Sequence, residues 1–137
     1  MRGKIFTPDE ANQMLPLIRR IADDIVGTYA LVNDALKAYE AEKGRCEQSG
    51  EESLELNRRD AAVARALDKF QALIEEVESL GGTVKDYEHG GIDFYGDVGG
   101  EIVYLCWRRG EDEIRFWHRL EDGYSKRQPL PTPTTVS

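Results

Sequence analysis

Little in this chain announces chemistry by its residue types. Across 137 residues there are only two cysteines, two histidines and two tryptophans. Cys46 and Cys106 stand far apart in unlike contexts, too few for a disulfide framework. Reduced thiols, and with them a cytoplasmic location, are expected. No apolar run approaches the roughly 18 residues needed to cross a bilayer. The opening Met1-Arg2-Gly3-Lys4-Ile5-Phe6 has no apolar signal core, so no membrane partner is expected. His89 and His118 do not sit at the i, i+4 or C-x-x-C spacings of recognisable metal motifs, and no glycine pattern is that of a nucleotide loop. No cofactor is expected on these grounds.

What is abundant is charge, 32% of residues, with a net value of −8. The far field therefore repels polyanions and disfavours nucleic acid. The excess is uneven. Residues 101–128 hold six basic and six acidic side chains, so the whole imbalance lies in the first 100 residues. A nucleic-acid module would need Arg115, Arg119, Lys126 and Arg127 to gather into one patch.

The first half reads as two long helices. Thr7-Pro8-Asp9-Glu10 is a capping box with proline at the first helical position, and Phe6 is placed to staple onto Ala11. An apolar stripe runs from Leu15 through Ile18, Ile21, Ile25, Tyr29, Val32 and Leu36 to about residue 43, with a break or kink expected at Pro16. Residues 44–53 read as a polar turn. A second stripe, Leu56, Val63, Leu67, Phe70, Ile74 and Val77, has the four-three spacing of a coiled coil and ends at Gly81-Gly82. The two should pack as an antiparallel hairpin, and a sheet or a second copy of the chain must cover the rest of their apolar surface.

From Gly82 the period becomes two. Strands are expected at 83–86 and 92–95, with a strong pair at 101–108 and 113–119. A tight turn at Gly110-Glu111 sets Arg108 opposite Glu113, Trp107 opposite Ile114, Leu105 opposite Phe116 and Val103 opposite His118. That register gathers an almost wholly apolar face and allows an Arg108–Glu113 ion pair. It places Cys106 and His118 on opposite faces, where they cannot share a metal or form a nucleophile–base pair. Cys106, Tyr104, Arg115 and Trp117 then share the other face, with Asp93 and Tyr95 joining it if Ile92 and Phe94 turn to the core. A face of aromatics and arginine suits self-association, a planar or anionic ligand, or cover by Gln128-Pro129-Leu130. His118 reads as a core histidine bonded to backbone or carboxylate, with His89, Glu88, Asp93 and Glu121 as its conceivable co-ligands. Cys106 reads as a buried, inert thiol.

The order of several unusual words is also informative. Phe6-Thr7, Glu10-Ala11-Asn12 and Leu15-Pro16 are followed by Leu80-Gly81-Gly82, Ile92-Asp93-Phe94, Val103-Tyr104-Leu105-Cys106-Trp107, Gly110-Glu111, Ile114-Arg115-Phe116-Trp117-His118 and Gly123. Together they resemble the bacterial family catalogued as domain of unknown function 2203, over the chain to about Leu130. In such proteins a D-F-P-G word often stands where this chain has Phe94-Tyr95-Gly96. The resemblance implies one small domain and carries no catalytic residues.

The expectation is thus an α+β protein: a long antiparallel two-helix, coiled-coil-like hairpin over about 8–80, packed on a small antiparallel β-sheet over about 83–119 that contains a C-terminal β-hairpin. Residues 1–130 form a single domain, with an extended or disordered tail at 131–137. The leading functional expectation is a non-catalytic, self-associating module, a homodimer. The alternative is a small-ligand or metal-dependent enzyme with its site near Asp93 and His118. The binding residues expected are Asp93, Tyr104, Arg115, Trp117 and His118, with no metal ligand assigned.

Overall fold

A computed structural model describes residues 4–51 and 53–131; most of the expected tail, from residue 132 on, lies outside the described residues. Helix α1 (Pro8–Gln13) opens with the capping box: the Thr7 hydroxyl accepts from the Glu10 N–H, and the Glu10 carboxylate accepts from the Thr7 N–H. The break falls at Met14, where α2 (Leu15–Ser49) starts with Pro16 in its first turn, a position that needs no N–H donor. At 35 residues α2 is about 52 Å long.

The polar turn is shorter than the sequence pattern implied. Helix α2 continues through Gly44 and Cys46 to Ser49, and Gly50 ends it in the left-handed conformation at φ 72°. A solvated helix end needs no apolar stripe, which is why the pattern stops before the helix does. Helix α3 (Leu54–Ser79) begins on a Ser53 cap. The Ser53 hydroxyl donates to Glu42, which also receives Arg45, so one buried carboxylate ties the two helices together at the tip.

The sheet is an antiparallel meander in the order β1 (Gly82–Asp86), β2 (Gly91–Val98), β3 (Glu101–Arg108), β4 (Phe116–His118) and β5 (Gln128–Pro129). Its helix-facing side carries Ile92, Phe94, Leu105 and Trp107, all fully buried against Leu15, Ile18, Ala22, Ile25 and Val77. Phe6 closes this core edge-on to Phe94 at 5.5 Å. Gly96 lies in it too: a Cβ there would sit 2.4 Å from Leu105 Cγ, so the leucine occupies the space a side chain would need. The architecture is α+β, a long helix pair on a five-stranded antiparallel sheet.

The expected register of the last hairpin is off by one. The ladder pairs Tyr104 with His118, Leu105 with Trp117 and Cys106 with Phe116. The expectation assumed a tight turn followed by a strand through Glu113 and Arg115. Instead the chain leaves the ladder from Arg109 to Arg115. The Trp107 indole N–H donates to the Glu111 carbonyl at 2.9 Å, and the Arg108 N–H to the Glu111 carboxylate at 2.8 Å. Asn12 of α1 then takes both backbone groups of Ile114, accepting its N–H at 2.7 Å and donating to its carbonyl at 3.4 Å. Ile114 is buried without belonging to a strand. Glu113 and Arg115 never enter the ladder, so the charged partners that argued against this register are absent from it. The expected Arg108–Glu113 pair does not form: Arg108 bonds Asp86 at 2.8 Å, and Glu113 faces Arg115 at 3.5 Å.

Candidate functional site

One residue of slip reverses the face of everything on β4. His118 joins Cys106 and Asp93 on the side of the sheet away from the helices, while Trp117 packs against the core. Asp93 lies directly opposite Cys106 across the β2–β3 ladder, and His118 opposite Tyr104 across β3–β4. The separation of Cys106 from His118 expected from the sequence is therefore overturned. The carboxylate, thiol and imidazole ligand atoms lie within 4.8 Å of one another, and each residue is at most 3% exposed.

The protons of this cluster can be counted. His118 Nδ1 is 2.9 Å from the Arg119 carbonyl oxygen, which only accepts, so Nδ1 carries hydrogen and donates. His118 Nε2 is 2.9 Å from Asp93 Oδ2, and a second proton sits between them. Whether it rides on nitrogen or oxygen, the pair is neutral overall, which lowers the cost of burying it. Burial pushes the Asp93 carboxyl above its usual range, against the opposing pull of His118, the Cys106 thiol and Lys85. Burial, followed by the charge and hydrogen bond of Asp93, pushes the Cys106 thiol up to about 12. Cys106 is thus a thiol at neutral pH and no free nucleophile. The guanidinium of Arg127, held bidentate by Glu111 at 3.0 and 2.5 Å, lies near that sulfur and opposes its shift.

These three residues form the floor of a cavity of about 530 Å³. Its walls combine four tyrosines, Tyr29, Tyr87, Tyr104 and Tyr124, with the charged Lys85, Asp86, Glu88, Arg108 and Asp122. Tyr104 stacks on Tyr95 at 5.0 Å, and the Lys85 ammonium lies 4.6 Å above the Tyr104 ring. The Tyr95 hydroxyl, then burial, raise the Tyr104 phenol to about 12, so it stays protonated. Arg108 crosses the wall between Asp86 and the Tyr124 ring. The short 3-10 turn Tyr124–Lys126 brings Tyr124 over this face, and strand β5 extends the sheet beside β4, with the Leu130 N–H bonded to the Arg115 carbonyl and its side chain packed on the core.

Of the five residues singled out in the sequence, the fold brings together Asp93, Tyr104 and His118. It does not bring Arg115 or Trp117 to them. Arg115 lies along a separate groove with Asp9, Asn12 and Asp97, and its charge is met by Asp112 and Glu113. Of the four conceivable co-ligands of His118, only Asp93 touches it; His89 bonds Asp86 at the surface. Cys106 is read on the correct face beside Asp93 and Tyr104, but it is not counted among the binding residues because the register places His118, its third neighbour, on the opposite side. Lys85 and Arg108 stand near the ends of β1 and β3, and Tyr124 opens the 3-10 turn, so no single local pattern marks them as lining one cavity. The basic patch considered for nucleic acid is dispersed: Arg115, Arg119, Lys126 and Arg127 each face a carboxylate.

A family model described as an uncharacterized conserved protein, DUF2203, matches residues 4–130. The chain belongs to this family. The match takes in both helices and all five strands, so the pocket lies wholly within the DUF2203 region. No curated protein and no solved structure matches the chain. Among the described residues, no helix is long and apolar enough to cross a membrane.

Proposed function

We propose that the pocket on the open face of the sheet is a small-molecule site, and that the Asp93–His118 pair at its floor exchanges a proton with the bound ligand. The observation that carries this reading is a buried, charge-neutral Asp–His pair at the bottom of a cavity of about 530 Å³. A structural pair has no need of a cavity, and a cavity of this volume admits a metabolite-sized ligand. Aromatic walls favour a planar group. Lys85 is in contact with the Tyr104 ring and has no carboxylate within ion-pair distance among the described residues, which gives an anionic group of the ligand one place to bind in a lining that also carries Asp86, Glu88 and Asp122. The pair holds one proton between two atoms 2.9 Å apart, and a ligand that takes it up gains one positive charge as the pair is left with one negative charge.

The test is a fragment screen by NMR on protein labelled at the histidine ring nitrogens. Anionic aromatic fragments should move the His118 and Tyr104 signals together, and Asp93→Asn should weaken that response. Binders that leave both residues unmoved would defeat the reading.

Self-association is a second reading, favoured by one observation. Burial of apolar residues along α2 stops at Val32, and the helix pair beyond it exposes Leu36 (39%), Leu54 (74%) and Leu67 (45%). Two copies packing these leucines would form a homodimer that leaves the pocket free. Sedimentation at micromolar concentration checks it, and a clean monomer would remove it.

A further inference from the structure

We propose that Asp93, Cys106 and His118 are the ligands of a single divalent transition-metal ion of the zinc type, with a fourth position open to the cavity. The inference rests on the pocket being the binding site, and in it the ion takes the place of the proton that Asp93 and His118 share, so the floor acts on a ligand through the ion's open position.

Three neighbouring strands supply one ligand each, which is the most rigid arrangement a sheet offers. The donor atoms already lie within 4.8 Å of one another, and a tetrahedral ion with bonds of about 2.0–2.3 Å needs separations of roughly 3–4 Å. Small side-chain movements therefore suffice. His118 is pre-oriented: its Nδ1–H donates to the Arg119 carbonyl, which fixes the tautomer and aims Nε2 into the cluster. Ligating histidines are held in this way by a backbone carbonyl or carboxylate. The donor set of one sulfur, one nitrogen and one oxygen suits zinc or cobalt and is wrong for magnesium or calcium, which take oxygen shells. Three protein ligands with an open fourth position is the pattern of a metal that meets a ligand or water.

Charge argues the same way. A thiolate and a carboxylate together offset a divalent ion, leaving a neutral buried centre. Without the ion that neutrality is kept by two protons, one on the Cys106 sulfur and one between Asp93 and His118. The balance is M²⁺ plus the thiol plus the protonated pair going to the bound ion, thiolate, carboxylate and neutral imidazole, with two protons released. Nothing is oxidised or reduced. The Arg127 guanidinium, fixed by Glu111, stands beside the sulfur that would become charged.

Tag-free protein stripped by chelator and titrated with Co²⁺ tests the proposal. The expected result is one ion per chain, an intense visible band of tetrahedral cobalt and a near-ultraviolet thiolate charge-transfer band. Calorimetry in two buffers of different ionisation enthalpy should report close to two protons released per ion. Cys106→Ala removes one small group from the floor and is the variant least prone to unfold. It should abolish the charge-transfer band and weaken binding by about a hundredfold or more. Asp93→Asn should also weaken binding, and Cys46→Ser should leave it intact. The proposal is overturned if no stoichiometric ion binds, or if Cys106→Ala binds as the wild type does. Fragments that reach His118 in the absence of any ion binding would refute the metal and leave the pocket reading standing. A bound ion that no fragment approaches would sustain the metal and defeat that reading.

Discussion

The two faces of this sheet are built from the same three strands and do opposite things. Toward the helices, Ile92, Phe94, Leu105 and Trp107 present no polar atom except an indole N–H, which the Glu111 carbonyl accepts. Away from them, the intervening Asp93, Cys106 and His118 present almost nothing else, at the same depth of burial. Buried polar groups cost stability unless every one is paired. Among the described residues, no buried side-chain nitrogen or oxygen lacks a hydrogen-bond partner. The lesson is that burial alone does not distinguish core from site in a thin sheet. What distinguishes them is what lies beyond: helices on one side, an open cavity on the other.

The contrast can be broken most forcefully from the apolar side. Trp107→Ala should lose about 3–5 kcal/mol in urea unfolding, because the cavity it leaves cannot collapse between sheet and helices. A loss below about 1 kcal/mol would mean that the helix-facing side is not the core. On the polar side, Asp93→Ala and His118→Ala should each cost about 1–3 kcal/mol by stranding the partner. The double variant should cost clearly less than their sum, since the penalty belongs to the pair. Additive losses would show that the two side chains do not interact.

The sequence made the helix-facing side legible and misread the other. The capping box, the break at Pro16, the helix end at Gly81-Gly82 and the strand Glu101–Arg108 are local features, set by residues within a turn of each other. The register of β4 is not local. It depends on Asn12 holding Ile114 out of the ladder, a contact between residues 102 positions apart that no pattern near the turn records. With the register went the site, because a slip of one exchanges the two faces for every residue of the strand. Asp93 was placed correctly because the strand carrying it has the clear alternation Ile92, Phe94.

Asn12→Ala should sharpen this point. It removes both hydrogen bonds to Ile114 and should cost about 1–2 kcal/mol. Hydrogen exchange at Ile114 and Phe116 should accelerate before that of β2 and β3. Uniform acceleration across the sheet would mean that the clamp holds the fold rather than the register.

Thiol reactivity separates the two cysteines without any mutation. Cys46 is partly exposed and should react with a disulfide reagent in the native state, whereas burial and Asp93 keep Cys106 protonated and silent until unfolding. Two equally fast thiols would contradict the placement of Cys106 on the floor of the pocket.

The smallest effect concerns the rim. Burial pushes the Asp86 carboxyl up, but the hydrogen bonds from the His89 and Glu88 N–H groups, Arg108 and the His89 ring outweigh it and hold it well below the usual carboxylate range. A depressed folded-state value stabilises at pH above the unfolded value near 4 and is lost as pH falls through the folded one. The stability gap between wild type and Asp86→Asn should therefore be full at pH 7 and shrink below pH 4. A gap that widens on acidification would reverse the assignment.

The Asn12 clamp also bears on the order in which the molecule assembles. Strands β2 and β3 are joined by a two-residue turn and can pair early, as hairpins do. Strand β4 has only three ladder positions, and the clamp that sets its register spans most of the chain. Loop closure over such a distance is slow relative to local pairing. Docking of the first helix is then the step that commits β4, and the cluster of Asp93, Cys106 and His118 comes into existence last, only in chains whose two ends have already met.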